Sequence, residues 1–130
     1  MSDAPFESMA VLLIAHGSRR DSANRDLTEL ANQVAARGPW TIVETSYLEL
    51  AEPTISEGAA RCVKQGAVQV LMLPYFLSTG AHVTEDLQRH RHELAAMFPD
   101  VTFVLRPPLG PHPLLVELVI RRLEEGAADS

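Results

Sequence analysis

Residues 11–20 read VLLIAHGSRR, an apolar run that ends abruptly in a histidine, a glycine and a small polar loop. Val11 to Ala15 is too short for a helix of its own and reads as a strand buried on both faces, the pattern of a parallel sheet. His16 then stands at the carboxyl end of that strand. Gly17 lets the backbone turn where a side chain would obstruct, and Asp21 or Ser22 is placed to cap the helix that follows.

The rest of the chain repeats this unit. From Ser22 to Arg37, Leu27, Leu30, Ala31, Val34 and Ala35 recur at helical spacing, and Gly38-Pro39 stops the helix. Thr41 to Leu48 is rich in β-branched residues and forms the second predicted strand, with Glu49 and Glu52 just past its end. Pro53 opens a second helix whose inner stripe is Ile55, Ala59, Cys62 and Val63, closed by Gly66. Val68 to Pro74 is again a near-continuous apolar run, hence a third strand buried on both faces. A long loop, YFLSTGAHV, leads to a helix capped by Thr84, with Leu87, Arg91, Leu94, Ala95 and Phe98 on one face. Pro99 ends that helix, and Val101 to Leu105 makes a fourth strand. The stiff loop RPPLGPHP then leads into a last helix from Pro113 to Glu125, with Leu115, Leu118, Val119 and Leu123 facing inward.

Strand then helix, four times over, predicts an α/β fold: a four-stranded parallel sheet, order 2-1-3-4, with helices on both faces. A single domain over residues 11–125 is expected, between a flexible lead-in (1–10) and a frayed end (126–130). The 130 residues, 46% hydrophobic and 22% charged, suit one soluble domain with a real core. A net charge of −6 weighs against nonspecific nucleic-acid binding. Cys62 is the only cysteine, which rules out an intrachain disulfide, and its place in a helix stripe makes it a buried thiol rather than a nucleophile. No apolar run approaches the length of a membrane span, and the start MSDAPFES lacks a signal peptide's basic region, so a cytoplasmic protein is expected.

In such a sheet, ligands bind beyond the carboxyl ends of the strands, where the winding reverses. For the order 2-1-3-4 that point lies between strands one and three. His16 follows strand one and His82 lies after strand three, so the two face one crevice, with Glu49 and Glu52 beyond strand two. Neutral imidazoles bind divalent cobalt, nickel and iron, and a nearby carboxylate completes the shell or takes up protons. His90 and His92, two apart on a helix, point to different faces and do not form a ligand pair. His112 is expected to cap the last helix. Arg19, Arg20 and Arg25 flank the first loop, as anion partners or as a solvated helix start.

HGSR (16–19) with Asn24, YLELAEP (47–53), LPYFLSTGAHVTEDL (73–87) and PPLGPHPLLVELVIRRL (107–123), in this order, resemble the short single-domain sirohydrochlorin cobaltochelatase and ferrochelatase family. The chain departs from the family's pattern at Leu87-Gln88, where isoleucine then proline is common, and at Tyr47, where phenylalanine is usual. The resemblance implies insertion of a divalent metal, Co2+, Fe2+ or Ni2+, into a tetrapyrrole without a nucleotide. It implies His16 and His82 as metal ligands and proton acceptors, and Glu49 as an aid to proton removal or metal delivery. Arg19, Arg20 and backbone N–H groups at helix starts are expected to meet the macrocycle's peripheral carboxylates, with Gly17, Ser18 and Gly80 as further binding residues. It also implies a homodimer with the cavity between subunits, because one domain offers only a rim to a flat macrocycle. A non-catalytic metal or tetrapyrrole carrier is the alternative. A histidine-phosphatase-like phosphotransferase is the weaker one, since that chemistry wants an arginine where Ala15 stands.

Overall fold

The computed structural model describes residues 5–126. After a short 3-10 turn at Phe6–Ser8 the elements are β1 (Met9–Ala15), α1 (Asp21–Arg37), β2 (Ile42–Tyr47), α2 (Ile55–Lys64), β3 (Gln69–Pro74), α3 (Ala81–Met97), β4 (Thr102–Leu105) and α4 (Pro113–Gly126). The strands form one parallel sheet in the order β2-β1-β3-β4, as expected from the alternation.

Residues alternate across a strand, and β1 divides the core accordingly. Ala10, Leu12 and Ile14 meet Ile55, Ala59 and Cys62 of α2 and Leu87 and Leu94 of α3 on one face. Val11 and Leu13 meet Leu27 and Ala31 of α1 on the other. Two-sided burial is why β1 reads as a continuous apolar run. The stripes expected for α2 and α3 face inward, and so does that of α1 except for Ala35, which is exposed.

Helix α2 lies close against the sheet. Its N-cap Thr54 accepts from the Glu57 N–H while the Glu57 carboxylate accepts from the Thr54 N–H, a reciprocal capping box that satisfies two free donors. Pro53 therefore precedes the helix rather than opening it. One turn on, a Cβ at Gly58 would lie 2.8 Å from Leu12 Cδ1 and 2.9 Å from the Thr45 carbonyl oxygen. Gly58→Ala should destabilise the fold by about 1–3 kcal/mol, read as a lower urea midpoint with an unchanged slope.

Four expectations are corrected. Residues 6–10 are not a flexible lead-in, because they form the 3-10 turn and the start of β1; residues 1–4 and 127–130 lie outside the described part. Helix α1 takes Arg20, not Asp21 or Ser22, as its N-cap, with no side-chain cap bond. Helix α3 begins at Ala81 behind an extended Gly80, so Thr84 lies inside it and bonds back to the Gly80 carbonyl (3.1 Å) rather than capping it. Finally, Leu118, Val119 and Leu123 of α4 are exposed and Leu115 is only half-buried. Helix α4 leaves from a loop beyond the strand ends and packs substantially on no other element.

Candidate functional site

The carboxyl ends of the strands form one rim, built from backbone continuity between neighbouring strands. Past β1 and β2 the pairing runs on, with the Leu48 N–H donating to the Ala15 carbonyl (2.9 Å) and the Glu49 N–H to the His16 carbonyl (3.0 Å). This fixes Glu49 beside His16 along the chain direction. Gly17 closes the turn with φ +98°, and a Cβ there would run into the Glu49 carbonyl oxygen. The conformation and the close approach both require glycine.

The polar loop that follows is clamped by Asn24. Its side-chain oxygen accepts from the Ser18 N–H (3.1 Å) and its amide donates to the Ser18 carbonyl (2.7 Å), while the Ser18 hydroxyl accepts from the Arg20 N–H (3.0 Å). Tyr47, buried at the end of β2, donates its hydroxyl to the Asn24 carbonyl (3.0 Å). Burial pushes the Tyr47 phenol up, which keeps it a donor. A phenylalanine at this position would lack that bond, so the departure from the family's pattern supports the loop from below.

His16 itself is exposed and stands edge-on to Phe76, ring centroids 4.5 Å apart. Phe76 is buried two residues past β3, so the residue that steadies His16 comes from the strand across the switch point. His82 is the second residue of α3, one turn before Asp86, and the two share a hollow with Val83, Glu85 and Arg89. Asp86 is paired to Arg89 and lies 4.0 Å from His90. Burial, then the charge of Arg89, holds the His90 imidazole below its ordinary range, as befits a neutral, half-buried residue. Gly80 caps α3 with ordinary negative φ and open space where a Cβ would go, so this position does not demand glycine.

The arginines lie elsewhere. Ser18, Arg19 and Arg25 line a cleft of about 740 Å3 beside α1 and β2, together with Glu52 and Arg61, and it includes neither His16 nor His82. His112 accepts the Leu114 N–H on Nδ1 (3.0 Å), the helix-capping role expected of it. Among the described residues no three His, Cys, Asp or Glu side chains form a metal cluster. In one chain the rim is open. Asn24 was part of the motif read in the sequence; Phe76 was the functional support least visible there, and the available signal was an aromatic directly past a buried strand.

Cys62 is buried in the α2 stripe, and burial pushes its thiol up to about 12. A disulfide reagent at pH 8 should leave the folded protein unmodified and titrate one thiol only after unfolding.

The model of the CbiX family matches residues 10–126. The chain belongs to the CbiX family. It is 35% identical to the chloroplastic sirohydrochlorin ferrochelatase of Arabidopsis thaliana, across 92% of this chain and 56% of the relative. It is 30% identical to the sirohydrochlorin cobaltochelatase of Methanocaldococcus jannaschii, across 87% of this chain and 96% of that one. The fold matches the cobalt complex of the sirohydrochlorin chelatase SirB from Bacillus subtilis subspecies spizizenii with a TM-score of 0.83 and 31% identity, covering 91% of this chain and 50% of SirB. This CbiX chain thus spans about half the length of the Arabidopsis and Bacillus relatives and nearly all of the archaeal one.

Proposed function

We propose that this CbiX-family chain is a metal chelatase, a lyase that inserts Co2+ or Fe2+ into sirohydrochlorin as a homodimer, in the cytoplasm and without a nucleotide. The observation that carries the proposal is the strand-end rim, where His16 is presented beside Glu49 and steadied by a residue of the loop that leads to His82. Family membership and the metal and substrate printed in the relatives' names support it. Among the described residues no helix is long and apolar enough to cross a membrane.

In the proposed reaction the divalent ion is substrate and rests on His16 and His82. The macrocycle docks over it. Two pyrrole N–H bonds break and the ion passes from the two imidazoles to the four nitrogens of the macrocycle, while the two protons leave to a freed imidazole, to the Glu49 carboxylate or to water. The chain supplies position and proton acceptors. Ser18, Arg19 and the Gly17 and Gly80 backbone are the proposed partners of the macrocycle's carboxylates. Arg19 sits in a cleft that does not contain the histidines, so it would serve the edge of a large ligand.

The test is insertion under multiple turnover, followed by absorbance, with sirohydrochlorin in excess over protein and Co2+, Fe2+ or Ni2+ supplied. Acceleration that continues past one equivalent supports a chelatase. A single equivalent and then the uncatalysed rate would instead establish a carrier, and no acceleration with any of the three metals would refute the chelatase.

A further inference from the structure

Among the described residues Leu50 is the one non-glycine whose backbone carries positive φ, at 67°. Leucine rarely adopts that conformation, because its Cβ crowds the neighbouring backbone there. Glycine would make the same turn without the strain, and asparagine tolerates it better. A buried leucine would offset the strain through contacts within its own fold. Leu50 does not, since its side chain is 53% exposed and joins neither core cluster. A strained backbone that holds an apolar side chain out into solvent is a feature of ligand-contact positions.

The neighbouring bonds fix where that side chain is held. The turn is tied at both ends, by the Glu49 N–H on the His16 carbonyl and by the Tyr47 N–H on the Pro53 carbonyl, each 3.0 Å. Leu50 is therefore the residue directly beyond the Glu49–His16 bond. It also lines the cleft that contains Ser18, Arg19 and Arg25. Among the described residues neither of these arginines is paired with a carboxylate. Leu50 is thus an apolar lip, with His16 and Glu49 on one side and unpaired guanidinium groups on the other.

We propose that Leu50 is a specificity-determining contact, over which an apolar ring edge passes between the metal-binding rim and the arginine cleft. The inference rests on the proposed chelatase function and names the ligand chemistry this side of the rim takes: a macrocycle with an apolar body and anionic arms. A metal ion alone uses the histidines, and a small anion alone uses the arginines. Neither touches the leucine. A ligand that spans both sites covers the side chain that the fold leaves exposed.

The test titrates metal-free sirohydrochlorin into the wild type and Leu50→Gly, with the macrocycle's fluorescence as the readout, beside urea unfolding of both. Glycine adopts positive φ freely, so the urea midpoint should stay or rise. Loss of the apolar contact should nevertheless raise the macrocycle Kd roughly tenfold, and its KM in parallel, while the KM for the metal does not move. Leu50→Met should recover most of the affinity, and Leu50→Asn, which suits the turn but is polar, should not. Equal Kd for the wild type and Leu50→Gly would overturn the lip. So would a lower urea midpoint for Leu50→Gly, which would make the leucine a structural contact of its own chain. Either result leaves the chelatase standing if the wild type inserts metal. A wild type that binds sirohydrochlorin but inserts nothing would end the chelatase reading and leave the lip to be decided by Kd; one that does neither would remove both.

Discussion

Alanine at His16 or at His82 is expected to lower the metal-insertion rate roughly 100-fold or more at saturating metal, with the sheet intact. Both side chains are exposed, so neither is needed to fill the core. Each is expected to hold the metal and to accept a proton, roles for which alanine has no substitute. The two variants should differ in one respect. His16 lies edge-on to Phe76, a contact worth about 0.5–1.5 kcal/mol, whereas no aromatic contact or side-chain bond is found for His82 among the described residues. His16→Ala should therefore lose a little stability as well as activity, and His82→Ala activity alone. Unfolding of both variants would mean that the histidines are structural.

Gly17→Ala should be the most damaging single methyl in the protein. The residue would carry φ +98° and place its Cβ against the Glu49 carbonyl oxygen, a backbone atom that no rotamer change moves aside. Strain and overpacking together should cost about 3 kcal/mol or more. The same displacement would pull His16 and Glu49 apart, since the Glu49 N–H to His16 carbonyl bond spans that turn. Gly80→Ala is the control. With ordinary φ and nothing within 4 Å of the added Cβ, it should change stability by less than about 0.5 kcal/mol. Urea midpoints of the two variants, measured together, separate a required glycine from a permissive one.

Much of this architecture was legible in the residues. Val11–Ala15 reads as a strand because two-sided burial leaves it no polar position, Val68–Pro74 because its apolar run is broken only by Gln69, and Gly38-Pro39, Gly66 and Pro99 each mark a real helix end. The helix starts were harder to read. Arg20 and Gly80 occupy N-cap positions without a side-chain bond, so the usual capping residues nearby misled by one to four positions. Helix α4 was legible as a helix and illegible in its packing. An apolar face shows that something must cover it but not whether the cover belongs to the same chain. Similarly, spacing pointed to His16 and His82, while Phe76, which steadies His16, acts through a tertiary contact that no local pattern encodes.

Central to the account is one divalent ion held by His16 and His82 together. X-ray absorption at the cobalt edge measures this directly, by counting imidazole ligands on Co2+ bound to the protein. Two imidazoles per cobalt are expected in the wild type and one in each of His16→Ala and His82→Ala. The same imidazole count in all three proteins would place the metal elsewhere and contradict the account.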